Sequence, residues 1–420
     1  MVGSSVSAHR ARGDSSRRRG VVNRESRAGL QERIAFLPVR DLHLPHNLRE
    51  VWLSRELVRR GWQVSWLRPR SGTNRGVQLD WPVLEYPDLD VRGRKYALPA
   101  YLAGRLRAER IRILWLSGWT MRDPRELAWL VRILAAAGTQ VVYDPIDPVC
   151  EFLEAQGAGA DEVVRCRRAA RAIYHACSLT MCVTPEIREM LASAGAPRDR
   201  LHVARWGTDG TLFDPANVKC DLKQRLGLSE QTRLVGWLGT MEPFKGLHEV
   251  ILPIVEMIGS TGNGIHFVIA GRGPLEASVR EWANARTNLP VTILPSIEYH
   301  DAPAFTGSLD AYLVPTNPMT RFAQSICPVK CFDALAMGTP LIVSRTPATE
   351  FLGPHTNLVR FADFNAASFA NALLGLLASV DRQQPRTAVR EYTHQTVSTA
   401  IADAIIQMRQ SGKEQSTITR

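Results

Sequence analysis

From Arg33 onward, short β-branched or apolar runs alternate with longer amphipathic stretches, the pattern of parallel strands covered by helices. The apolar runs predict strands in two sets. The first comprises 34–37, 64–67, 111–116, 141–143, 180–183 and 201–204; the second comprises 234–238, 266–270, 291–294, 311–314, 341–343 and 358–361. Between them, residues 206–232 are punctuated by Gly, Asp and Pro and read as a linker with a short helix. The expected fold class is therefore α/β, with two doubly wound Rossmann-like domains facing a cleft. The first domain covers 33–205 and the second 233–385; a last helical pattern, 390–410, packs back on the first domain. In such sheets ligands bind beyond the carboxyl ends of strands, so the strand-to-helix loops are where chemistry is expected.

Composition narrows the class. With 45% hydrophobic and 22% charged residues in 420, the chain can bury two sizeable cores, which excludes fibrous and wholly disordered readings. No uncharged apolar run reaches the ~18 residues of a membrane span, and the amino terminus lacks the apolar segment of a secretory signal. A cytoplasmic protein is expected. The formal charge is +11, and residues 1–32 hold seven Arg against Asp14, Glu25 and Glu32 in a Ser- and Gly-rich stretch read as a disordered basic tail. The surplus favours anionic partners and peripheral contact with the inner membrane face through a basic surface. Base-reading and stacking modules are absent, so no specific nucleic acid partner is expected. The seven cysteines are read as reduced thiols. Cys177-x4-Cys182 and Cys327-x3-Cys331 lack the second half of a zinc site, and no metal is expected.

Two segments concentrate candidate chemistry. Residues 325–344 read as helix, turn and buried strand: Pro328 suits a first helical position and Gly338 a left-handed helix end, with Val329, Phe332 and Ala336 as the buried stripe. The start of that helix would point backbone N–H groups at an anion, Lys330 would add charge, and Asp333 could accept two hydrogen bonds from a vicinal diol. An ordinary sheet-covering helix with a solvated Lys and Asp is the alternative. Residues 234–246 run from an apolar strand through Gly239 and Thr240 to Lys245, a point charge suited to a diphosphate or else a surface lysine. Gly271-Arg272-Gly273-Pro274 is a third, weaker loop of the same kind.

These residues resemble the donor domain of GT-B fold glycosyltransferases, in particular the retaining, family 4-like group. The matches occur in order: Gly207-x-Asp209-x3-Phe213-x-Pro215, Gly239 through Lys245-Gly246, Gly271-x-Gly273-Pro274, Asp310 to Pro315, and Phe332 to Gly338-x-Pro340. The resemblance implies transfer of a sugar from a nucleoside diphosphate sugar to an acceptor hydroxyl, with retention and without a metal or other cofactor. It places Lys245 at the donor diphosphate as the catalytic cation. It assigns Gly239, Thr240, Gly271, Ser325, Cys327, Pro328, Val329, Lys330 and Asp333 to the donor site, with Asp333 at the ribose. Three departures stand out: the family's Glu-x7-Glu is Ser325-x7-Asp333, an Arg is replaced by Thr240, and Cys327-Pro328-Val329-Lys330 resembles a subgroup with Pro-x-Lys before the helix.

On the acceptor side, Asp41, His43, His46 and Asn47 follow the first strand and face the cleft or the surface, while Asp144 and Asp147 follow another strand and bind acceptor hydroxyls or cap a turn. Trp115, Trp119 and Trp129 divide between core packing and a sugar-stacking face. The expected acceptor is a small molecule, a glycan or a lipid-linked acceptor. The alternatives to transfer are a GT-B protein that binds a nucleotide sugar without turnover, and an epimerase-like GT-B enzyme.

Overall fold

The computed structural model describes residues 31–38, 48–71, 80–89, 93, 97–118, 123–259, 261, 264–379 and 388–418. The strands in these residues form two sheets. The amino-terminal sheet contains β1 (Arg33–Leu37), β2 (Gln63–Pro69), β3 (Val83–Tyr86), β4 (Ile113–Ser117), β5 (Gln140–Asp144), β6 (Leu179–Cys182) and β7 (Leu201–Val203), in the order β3-β2-β1-β4-β5-β6-β7. The second contains β8 (Arg233–Thr240), β9 (Ile265–Arg272), β10 (Val291–Leu294), β11 (Ala311–Val314), β12 (Leu341–Ser344) and β13 (Val359–Ala362), in the order β10-β9-β8-β11-β12-β13. Every pairing between neighbouring strands is parallel. Each sheet is doubly wound: its order reverses between β1 and β4 and between β8 and β11, which opens a crevice at the carboxyl ends of those strands.

One strand was not expected. β3 lies at the sheet edge and is only partly buried, so its four residues carry none of the continuous apolar signal that marks a strand covered on both faces. The central strands do carry it, and they are fully covered. On one face of the first sheet, Phe36 packs with its ring centroid 5.9 Å from both Trp66 and Trp115. Trp115 is thus core, and Trp129 lies half-exposed on the helix Pro124–Ala136. Trp119 falls outside the described residues, as does the tail up to residue 30.

The carboxy-terminal helix His394–Ile418 lies on the same face as Trp66 and Trp115. Its Val397, Ile401, Ala402 and Ile405 join Leu53 and Leu57 of the helix Leu48–Arg59 in one cluster. Full burial of a side chain such as Ile401 is worth roughly 2 kcal/mol. Arg60 to Asp403 at 2.5 Å and Arg409 to Glu32 at 3.2 Å fasten the helix along its length. The end of the chain thereby returns to the first sheet, and the two lobes are connected twice: by the segment after β7 and by the segment before this helix.

Candidate active site

A cavity of about 530 Å³ opens between the lobes at the carboxyl ends of the strands. β8 and β9 run side by side to its edge, with Gly239 opposite Gly271 and Thr240 opposite Arg272. This approach requires glycine. Gly271 has φ +144°, and a Cβ there would stand 1.9 Å from the Gly239 carbonyl oxygen. Beyond β8 the chain makes the short turn Pro243–Lys245, which brings the Lys245 ammonium back to donate a hydrogen bond to the Thr240 hydroxyl.

The second wall is the helix Val329–Ala336, which Gly338 ends at φ +59°. Cys327, Val329 and Lys330 at its opening turn and Asp333 one turn later all line the cavity. Pro328 is the residue before the helix, with ψ 133°, so it falls one position earlier than expected and does not line the cavity. Val329 also departs from the expected buried stripe: at 36% exposed it faces the cavity, and Cys331, Phe332, Ala334 and Leu335 form the buried side. Gly239 leaves room for Lys330, whose Nζ lies 3.3 Å from the place a Cβ on that glycine would occupy.

Ser325 is not brought to the cavity. It ends the helix Arg321–Ser325 and is buried; its hydroxyl donates to the Phe322 carbonyl at 2.9 Å, and its own carbonyl accepts from the Thr184 hydroxyl of the other lobe at 2.6 Å. It serves as a seam between lobes, beside Phe322, whose ring lies 5.2 Å from that of Phe152. Asp144 is likewise turned away. As the last residue of β5 it points inward, with Oδ2 3.4 Å from Nε of the fully buried Arg49. Asp41, His43, His46 and Asn47 lie outside the described residues.

Charge in the cavity is set by burial. Lys245 is pushed down to about 7, first by desolvation and then by Lys330, with Glu242 and Asp147 opposing. Burial also lowers Lys330, against Asp333 and Cys331. Asp333 moves the other way, up to about 7: desolvation dominates, and a hydrogen bond from Thr208 and the charge of Lys330 hold it back. Two amines and the opening turn of a helix form an electropositive end suited to an anion, and a buried carboxylate one turn away suits hydroxyl groups.

Several cavity residues were not singled out from sequence. Ser296, Ile297 and Tyr299 come from the loop after β10, where the crevice rule directs attention to every strand-to-helix loop, and Arg272 of the Gly271–Pro274 loop lines the cavity with them. Of the two acceptor-side candidates at the end of β5, Asp147 lines the cavity and Asp144 does not. Asp147 follows Ile146, a β-branched residue at φ +66°, a conformation that costs roughly 1–3 kcal/mol. Trp206 and His394 line it from the two lobe connections. His394 carries no signal in the sequence, because only packing of the last helix brings it there.

Two doubly wound parallel sheets with a cleft site at their switch points define the GT-B class. Comparison with known proteins agrees: residues 50–207 match a Glycosyl transferase 4-like domain and residues 232–379 match Glycosyl transferases group 1. The chain belongs to this glycosyltransferase family. A D-inositol 3-phosphate glycosyltransferase of Mycobacterium tuberculosis is 26% identical over 274 residues, covering 60% of this chain and 52% of that protein. The chain thus spans about half the length of the curated relatives it matches. Among solved structures, Anabaena HepE in complex with UDP aligns with a TM-score of 0.63 at 15% identity, covering 92% of this chain and 99% of that one. Sucrose-phosphate synthase from Thermosynechococcus elongatus aligns with a TM-score of 0.62 at 16% identity, covering 93% and 99%. These two likenesses establish the fold. Among the described residues no helix is long and apolar enough to cross a membrane.

Proposed function

We propose that the chain transfers a glycosyl group from a nucleoside diphosphate sugar to an acceptor hydroxyl, with retention of configuration and without a metal ion. The observation that carries this reading is the gathering of Lys245, Lys330, the opening turn of the helix Val329–Ala336 and Asp333 around one interlobe cavity. Breaking the bond from sugar to diphosphate develops negative charge on the leaving group. Fixed cations and N–H dipoles at that place stabilise the transition state more than the ground state. The ribose then lies against Asp333, and the base extends toward Ser296, Ile297 and Arg272. That HepE was solved with UDP supports a nucleotide donor, and the mycobacterial relative supports transfer chemistry.

The acceptor enters from the first lobe. Asp147 supports this side of the reading, because the strained Ile146 presents its carboxylate to the cavity opposite Lys245, and strain of this kind persists where surrounding structure enforces it for a purpose. Positive net charge favours an acceptor bearing phosphate or presented at an acidic membrane face. A second reading, nucleotide-sugar binding without transfer, draws on Ser325: at that position no polar group reaches the cavity, so the donor sugar lacks one carboxylate contact.

A thermal-shift and transfer screen over nucleoside diphosphates and their sugars tests the proposal, since a ligand of the folded state raises stability by mass action. One nucleotide should stabilise the chain and its sugar should be transferred. Stabilisation without transfer across a broad acceptor panel favours the second reading, and no response to any nucleotide contradicts both.

The charge states predict a pH profile. Asp333 must lose its proton to accept from the ribose, and Lys245 must keep its own to hold the diphosphate; both titrate at about 7 in the unliganded protein. The donor kcat/KM should therefore be bell-shaped with a narrow maximum near neutrality, and Asp333→Asn should flatten the acid limb. A native profile flat between about pH 6 and pH 8 would contradict the assignment.

A further inference from the structure

The two connections between the lobes run side by side and reach into the cavity. Thr208 N donates to the Tyr392 carbonyl at 3.0 Å, and His394 N donates to the Thr208 carbonyl at 2.7 Å. These bonds fix Thr208 at the hinge, where its side chain is almost fully buried. Its hydroxyl crosses to the second lobe and donates to Asp333 Oδ1 at 2.5 Å. One carboxylate oxygen is therefore occupied by the hinge, and the residue still lines the cavity.

We infer that Thr208 is a positioning residue for nucleotide recognition: its hydroxyl holds the Asp333 carboxylate so that the second oxygen takes the ribose hydroxyls, which ties nucleotide affinity to the hinge between the lobes. The inference rests on the ribose reading of Asp333 given above. The carboxylate has few other means of staying charged. Lys330 lies one turn earlier on its own helix, Tyr299 faces it from the loop after β10, and Tyr312 faces it from β11. Of these only Lys330 is a cation, and burial lowers its own proton affinity. His394, the first residue of the last helix beside the hinge, is held neutral by burial and by Arg49. The Thr208 hydroxyl is the stronger of the two influences that favour the ionised carboxylate.

Removing that hydroxyl without changing side-chain shape should raise the proton affinity of Asp333 further and unlock its rotamer. A bond from a hydroxyl to a charged partner is of the size that changes affinity about tenfold. The experiment is calorimetric titration across pH of whichever of UDP, ADP and GDP binds the native chain of 420 residues, and of its 2′,3′-dideoxy form, with native protein, Thr208→Val, Thr208→Ser and Asp333→Asn. Thr208→Val should weaken binding about tenfold near pH 7 and move the midpoint of its pH dependence upward, and Thr208→Ser should keep both near native. The dideoxy nucleotide should bind native protein and Thr208→Val alike. A merely structural Thr208 would lower the melting temperature without shifting the pH midpoint or distinguishing the two nucleotides, and that result overturns the inference. If Asp333→Asn weakens binding but Thr208→Val does not, the inference fails and the ribose reading survives. If Asp333→Asn binds as native, or none of the three nucleotides binds, both fail.

Discussion

Lys245→Ala should lower turnover about a hundredfold, the cost of roughly 3 kcal/mol for losing one well-placed electrostatic donor, with a melting temperature close to native. Lys245 sits on a short turn at the cavity edge, where its ammonium hydrogen-bonds to Thr240 and lies over the neighbouring Phe244 ring, so little long-range packing depends on it. Its burial beside Lys330 makes its charge costly in the empty protein, which is the arrangement expected of a cation held ready for an anion. Steady-state transfer rates and a thermal melt check both parts. Near-native turnover with an intact fold would remove Lys245 from the chemistry, whereas a large drop in melting temperature would make it a structural residue.

The second large effect is expected on the backbone. Gly271→Ala would place a Cβ 1.9 Å from the Gly239 carbonyl oxygen, on a residue whose φ of +144° an L side chain rarely adopts. Neither atom can move alone, because Gly239 and Gly271 are paired in the β8–β9 ladder. A cost of about 3 kcal/mol is expected, lowering the melting temperature by about 6–12 °C for a domain of this size. The displaced strand ends carry Gly239, Thr240 and the turn to Lys245, so nucleotide binding should be lost below that melting point as well. Calorimetric unfolding together with nucleotide titration measures this. A native melt with native affinity would show that the close approach of the two strands is dispensable.

The fold was largely legible because both sheets bury most strands on both faces, and continuous apolar runs such as 234–238 and 266–270 can hardly be read otherwise. β3 escaped for the converse reason: an edge strand with half-exposed residues has no such run. In the second lobe the wall of the cavity was legible from punctuation. Gly338 and Pro328 bracket the helix, and the spacing from Lys330 to Asp333 puts both on the cavity side. The first lobe was less legible. Asp144 ends β5 and Asp147 lies just beyond it, and which of them faces the cleft depends on the left-handed Ile146 between them, an unfavourable conformation that residue type argues against. Ser325 was placed in the site by its position in a motif, yet its short side chain bonds to its own helix and never reaches the cavity. Thr208 and His394 were invisible, since their meeting depends on the last helix crossing back to the first sheet.

The central claim is that the cavity recognises a pyrophosphate through Lys245 and the turn that opens at Val329. Calorimetric titration of a nucleoside diphosphate and of the matching phosphate-free nucleoside, into native protein and into Lys245→Ala, tests it most directly. The account predicts that the diphosphate binds far more tightly than the nucleoside and that Lys245→Ala abolishes most of the difference. Equal affinity for the two ligands, or a difference unchanged in the variant, would contradict it.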